Sequence, residues 1–137
     1  MYGDSLADAP PDFDIAAMVL FMVTDDLQSA LNVVKLMLTL YIGGMGAKSR
    51  NFHADIIARM GYADAAEKIQ ELYLSGRKDE AFHAIPDELA DGISLLGPPA
   101  RIRDRLQLWR DSPVTTLLAM GPQDEPTLRT VRDLVLG

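Results

Sequence analysis

The chain has 137 residues, 48% hydrophobic and 24% charged, with no cysteine. That composition belongs to one globular domain with one sizeable core, and it excludes a disordered chain, a disulfide framework and a thiolate metal site. A formal net charge of -7 argues against a nucleic-acid partner, because phosphate would be repelled over most of the surface.

Residues Met1–Asp12 are polar and carry Pro10-Pro11. They read as an extended leading segment with one helical turn at Ser5–Ala9. No basic stretch with an apolar core follows Met1, so no signal peptide is expected. Phe13–Val23 (FDIAAMVLFMV) is apolar and short, and its β-branched and aromatic residues make it a buried strand. Its apolar run falls far short of the roughly 20 residues that span a membrane. Thr24 or Asp25 is expected to cap a helix from Asp26 to Ile42. The second half of that helix, VVKLMLTLYI, is apolar nearly all round and predicts burial on more than one side. Gly43-Gly44-Met45-Gly46 ends it, and Ala47–Arg50 is a basic loop. Asn51 caps a short helix to Met60, closed by Gly61. Asp64–Ser75 is an amphipathic helix with Ala65, Ile69, Leu72 and Tyr73 inside, and Gly76 ends it. Lys78–Ile85 and Pro86–Ala90 are two more short helices.

Ile93–Met120 then reads as strand, tight turn, helix, strand. Ile93–Leu96 is a short apolar run stopped by Gly97-Pro98-Pro99, and proline suits the first turn of a helix. Ile102, Leu106 and Trp109 follow at helical spacing, and Ser112-Pro113 stops that helix. Val114–Met120 is apolar along its length, the pattern of a parallel strand buried on both faces. Gly121-Pro122 is a turn, and Thr127–Leu136 is a helix with Leu128, Val131, Leu134 and Val135 as its apolar face. The class is therefore α/β, with a βαβ unit whose crossover is right-handed. An all-helical domain is the least favoured reading, because Val114–Met120 is hard to place in a helix after Pro113.

The motifs assign no chemistry by themselves. His53 and His83 lack metal-ligand spacing. Asp25-Asp26 and Asp87-Glu88 stand where helices begin, which acids favour through the helix dipole. Gly43, Gly44 and Gly46 follow a helix rather than a strand and lack dinucleotide-binding spacing. They read either as a helix stop leading into a tight turn, or as a backbone loop against a ligand with Lys48 and Arg50 as anion contacts. Gly97-Pro98-Pro99 offers few helix N-terminal amides to a phosphate, since its prolines remove donors.

Three stretches together resemble one family. Leu40–Phe52 (LYIGGMGAKSRNF), Lys68–Glu80 (KIQELYLSGRKDE) with Ile85–Leu89 (IPDEL), and Ser94–Leu118 (SLLGPPARIRDRLQLWRDSPVTTLL) resemble the luciferase-like monooxygenase superfamily, in its deazaflavin (coenzyme F-420)-dependent oxidoreductase branch. Tyr2–Ala7 (YGDSLA) is similar to the segment preceding that region. The resemblance implies the C-terminal portion of a TIM (β/α)8 barrel: one partial-barrel domain over 1–137, with a leading segment (1–12), a strand and helix (13–50), a helical insertion (51–92) and a βαβα unit (93–137).

It also implies hydride transfer between coenzyme F-420, or alternatively FMN, and a small organic substrate. Gly43, Gly44, Gly46 and Gly97 become coenzyme-binding positions, and Lys48 and Arg50 contacts for an anionic substrate or coenzyme tail. The loops after the strands, Thr24-Asp25, Gly97-Pro98 and Gly121-Pro122, border the site, because barrel enzymes work at that end. A whole barrel takes about 250 residues, and only three strands are found. The family's ring-gripping and acid residues have no match here, so no catalytic or metal-binding residue is assigned and the piece is expected to be inactive alone. Uncovered strands predict a homo-oligomer. The alternative function is a non-catalytic oligomeric module that binds no coenzyme. A cysteine-free chain without a leader is expected in the cytoplasm, off the membrane.

Overall fold

The structure, a computed structural model, describes residues 9–46 and 51–137. The chain divides into two compact units. One is helical and runs from Leu31 to Gly92; the other joins the residues up to Ala30 with Ile93–Gly137 and carries the sheet. The division falls within helix α1 (Leu27–Leu38).

The sheet unit contains strands β1 (Ala16–Val23), β2 (Ser94–Gly97) and β3 (Thr116–Met120), all parallel. Between and after them come α6 (Pro99–Arg110) and α7 (Glu125–Leu136). The strand–helix–strand–helix series expected from Ile93 onward is present. Alternate residues of a strand face opposite ways. On one face of the sheet Val19, Phe21 and Leu95 pack with Ile102 and Leu106 of α6 and Leu134 of α7, with Trp109 and Val131 at the margin.

The other face departs from expectation. β2 is buried throughout, but Met18 of β1 is 63% exposed and Leu118 and Met120 of β3 are 47% and 38% exposed. α6 and α7 both serve the first face, so the second face of β1 and β3 keeps apolar side chains in contact with water. An all-apolar strand marks a surface fit for covering; it does not supply the cover.

The strand order is β2-β1-β3. β1 pairs with β2 from Leu20 opposite Ser94 to Val23 opposite Gly97, and with β3 from Ala16 opposite Thr116 to Leu20 opposite Met120. In a barrel of consecutive strand–helix units each strand lies beside its chain neighbours. Here β3 lies across β1 from β2.

In the helical unit α1 gives way to a wide turn, Thr39–Gly44, and is followed by α2 (Phe52–Ile57), a second wide turn at Ala58–Tyr62, α3 (Ala63–Leu74), α4 (Lys78–His83) and α5 (Asp87–Gly92). Its buried residues include Val34, Leu38, Ile42, Ile69, Ile85 and Leu89. Ala66, rather than the expected Ala65, is buried on α3 beside Ile69 and Leu72. Burial of α1 on more than one side is not seen: Val34, Leu38 and Ile42 are buried, while Val33, Leu36 and Leu40 stay about half-exposed or more. The buried set recurs every four residues, so one stripe suffices to anchor the helix.

Asp26, not Thr24 or Asp25, caps α1. Its carboxylate accepts from the Ser29 amide at 3.0 Å and the Ser29 hydroxyl at 2.6 Å, while Thr24 Oγ1 accepts from the Asp26 amide at 3.1 Å. Asn51 caps α2 as expected, accepting from the Ala54 amide at 3.1 Å, and its side-chain amide donates to the Ile42 carbonyl. One buried side chain therefore begins α2 and holds the wide turn that follows α1. Gly76, with φ +83°, ends α3, and the Arg77 amide returns to the Leu72 carbonyl at 2.9 Å. Among the described residues no helix is long and apolar enough to cross a membrane.

Candidate functional site

Parallel strands place all their carboxyl ends on one side, and loops at that side are where such sheets hold ligands. Val23 is opposite Gly97, and the Thr24 amide donates to the Gly97 carbonyl at 3.0 Å. Gly97 has φ +117°, and a Cβ there would lie 2.9 Å from Arg101 Cδ. The Arg101 guanidinium reaches back to the Leu96 carbonyl at 2.7 Å, so its stem crosses the turn where a larger residue would stand. β3 stops short of this level, with Met120 opposite Leu20, and Gly121 passes directly over the Phe21 carbonyl. The three expected loops, Thr24-Asp25, Gly97-Pro98 and Gly121-Pro122, thus follow strands that end on the same side of the sheet.

Two carboxylates that follow these loops, Asp26 and Asp124, are already engaged. Asp26 caps α1, and Asp124 caps α7 by accepting from the Thr127 amide at 2.9 Å and hydroxyl at 2.8 Å. The Ser29 hydroxyl and amide hold the Asp26 carboxyl below the usual range, and the Thr127 amide and hydroxyl do the same for Asp124. At the other end of the sheet Thr115 and Thr116 donate to Asp14 and lower it likewise. These acids tie chain segments together; none is poised to give or take a proton near neutral pH.

Their linkage has a definite sign. A carboxyl lowered by folding adds stability that is fully present above its unfolded value and is lost as pH falls through its folded one. The denaturation midpoint should therefore hold steady from neutrality down to about pH 4 and fall below it. Asp124→Asn should make that fall shallower, as followed by urea titration at successive pH values.

In the helical unit Gly43 and Gly44 form the end of the wide turn after α1, beneath Tyr73 of α3. A Cβ on Gly43 would lie 2.5 Å from Tyr73 Cβ, and one on Gly44 would lie 2.8 Å from Tyr73 Cζ. Both glycines are thus filled against protein. The Met45 amide closes the turn on the Leu40 carbonyl at 3.0 Å, and Gly46 follows. Lys48 and Arg50 lie outside the described residues. The other basic group singled out by its setting is Lys35, 12% exposed and ion-paired with Asp87, which gives that acid a structural partner. His53 meets Tyr41 at a tilt and Phe52 edge-on, with ring centres 4.8 and 5.8 Å apart. Of the expected coenzyme positions, Gly43, Gly44 and Gly46 belong to the helical unit and Gly97 to the sheet unit.

Two residues of local importance escaped the sequence reading of the glycines, namely Tyr73 and Arg101. Arg101 stands four residues after Gly97, one helical turn, which is the signal that could have found it. Tyr73 is thirty positions from Gly43, and no local pattern links them.

A cavity of about 430 Å³ lies between the first sheet face and α6 and α7, with Val19, Phe21, Trp109, Leu117, Val131 and Val135 among its walls. Its polar margin is occupied: Arg110 donates to the Val135 carbonyl at 2.9 Å and Arg132 pairs with Asp133. The cavity is open to solvent beside the strands, with the exposed Leu128 and Leu136 among its walls. Among the described residues no group of three or more histidines, cysteines or carboxylates could hold a metal ion.

Residues 4–116 match the family model for luciferase-like monooxygenase. A protein of Mycobacterium tuberculosis, named as a candidate coenzyme F-420-dependent oxidoreductase, is 41% identical over 123 residues, which cover 90% of this chain and 34% of that protein. The chain thus spans about a third of the length of this curated relative. No solved structure matches.

Proposed function

The chain belongs to the luciferase-like monooxygenase family, and from that premise we propose that it is the C-terminal part of a deazaflavin-dependent oxidoreductase. The reaction is hydride transfer between coenzyme F-420 and a small organic substrate, in the cytoplasm. The observation that carries this reading is the 41% identity sustained over 90% of the chain, with a relative named for that coenzyme. Three parallel strands with their loops at one end are in keeping with it.

The coenzyme supplies the hydride chemistry when bound. This chain's share is a wall of the site. Thr24-Asp25, Gly97-Pro98 and Gly121-Pro122 shape its floor, and Gly97 lets the β2 turn stay low over Arg101. Lys48 and Arg50 meet the anionic end of substrate or coenzyme. Gly43 and Gly44 hold the preceding helix end against Tyr73. No residue here is given the acid step, and the chain alone should not turn over. The test is a chimera in which this chain replaces the matching third of the mycobacterial relative. Coenzyme-linked turnover by the chimera, with none by the chain alone, is the expected result. A folded chimera without turnover, beside an active parent, would contradict it.

A second reading is favoured by the uncovered sheet face. β1 and β3 contain no charged residue, whereas the chain as a whole carries -7. We propose that two copies associate through this face, where their mutual repulsion is least. Sedimentation should show a concentration-dependent dimer that Met18→Lys abolishes; a monomer at all concentrations removes this reading.

A further inference from the structure

The helices do not close the first face of the sheet. Leu128, Val131, Leu134 and Val135 form the apolar face of α7, yet of these only Leu134 is buried. Leu128 and Val135 are 52% and 41% exposed. The open groove of about 430 Å³ lies beside them, with Val19, Phe21 and Leu117 of the strands as its other walls. All these residues belong to the sheet unit. Alternate residues of a strand face opposite ways, so the groove lies on the face away from Met18 and Leu118, where two copies would meet.

The lining decides what chemistry fits. The only charged residues in it are Arg110 and Arg132. The chain carries 20 acidic residues against 13 basic ones, so two positive charges and no negative one at an apolar groove favour an anion against the overall charge. The only other polar side chains in the lining are Thr115 and Trp109. A ligand with many polar groups would leave them unpaired against these walls. An apolar chain with a single anionic head would not. The volume falls within the roughly 300–1,000 Å³ of small-molecule sites.

Both guanidiniums keep donors to spare. Arg110 gives Nη2 to the Val135 carbonyl at 2.9 Å, and Arg132 gives Nε and Nη2 to one oxygen of its chain neighbour Asp133 at 2.9 and 2.6 Å. A guanidinium has more N–H groups than these acceptors use, and an exposed ion pair contributes little that an incoming carboxylate must displace. A second hollow, with Gln123, Glu125 and Arg129 in its lining, shares Leu128 and Arg132 with the first. Arg132 therefore stands where the apolar wall passes into polar surface. Glu125, the acid of that second hollow, is paired with Arg129 at 2.6 Å. We propose that this groove binds a free, single-chain alkyl carboxylate, with its chain along the strand and α7 walls and its head at Arg110 and Arg132. The site stands on the sheet unit alone and is independent of the coenzyme reading.

Trp109 lines the groove and is the chain's only tryptophan, so its emission reports occupancy. The experiment titrates the chain with dodecanoate, octanoate, dodecanol and dodecylammonium, each below the concentration at which it forms micelles. The expected result is a saturable change in emission with dodecanoate. Octanoate should bind at least about tenfold more weakly, since each buried methylene is worth roughly fourfold in affinity. Dodecylammonium should also bind about tenfold more weakly, the worth of a hydrogen bond to a charged group, although the net charge of -7 attracts a cation. Arg110→Gln/Arg132→Gln should weaken dodecanoate by a similar factor and leave dodecanol unchanged. No saturation with dodecanoate overturns the proposal. So does equal binding of octanoate or dodecylammonium, or an unchanged dodecanoate affinity in the folded double variant. If that variant fails to fold, the ligand series on the unaltered chain decides by itself.

Discussion

Gly121→Ala should unseat β3 and lower the stability of the sheet unit by about 3 kcal/mol, the upper end of what overpacking costs. A Cβ at this position would lie 2.1 Å from the Phe21 carbonyl oxygen and 3.2 Å from its carbon. Both atoms belong to the backbone of the central strand, so no side chain can swing aside. The clash is relieved only if β3 leaves the β1 edge. Urea denaturation should show a lowered midpoint. Gly92→Ala is the control. A Cβ there meets nothing within 4 Å, and replacing a helical glycine stabilises by up to about 1 kcal/mol. An unchanged midpoint for Gly121→Ala would mean that β3 does not lie on β1.

Gly43→Ala should cost nearly as much, about 2–3 kcal/mol, through a different contact. The new methyl would meet Tyr73 at Cβ and Cγ, 2.5 and 2.6 Å away. The Cβ is fixed to the α3 backbone. Tyr73→Ala keeps its Cβ and should therefore give little relief. Gly44→Ala differs, because its methyl would meet the far end of the ring, at Cζ and the hydroxyl, both 2.8 Å away. That end can swing, so Gly44→Ala should cost about 1 kcal/mol, and Tyr73→Ala should remove most of the penalty. The double-mutant cycle separates the two cases by their coupling energies. If these glycines served only to admit a ligand, the substitutions would weaken coenzyme binding in the chimera and leave the urea midpoint untouched.

What could be read from the sequence follows the range of the forces involved. The strand at Phe13–Val23, the helix begun by Pro99 and the cap at Asn51 depend on residues within a few positions of one another. All three appear within a few residues of where they were expected. The parallel class was legible in the apolar strands. Strand order was not, because no local pattern says which edge of β1 will receive Thr116–Met120. One-sided burial was not legible either, since Met18 and Val19 are equally apolar in sequence but 63% and 1% exposed. At the candidate site the loops at the carboxyl ends were legible from the strand assignments. The duties of Gly43 and Gly44 were not, because Tyr73 reaches them through tertiary packing.

The central claim is that this chain is one wall of a deazaflavin site and needs the rest of a luciferase-like barrel to complete it. Fluorescence titration with coenzyme F-420 tests this most directly, with riboflavin phosphate as the control, on the chain alone and on the chimera. The account predicts saturable binding of coenzyme F-420 by the chimera, weaker binding of the flavin, and no saturation by the chain alone. Saturable binding by the chain alone, or none by a folded chimera, would contradict it.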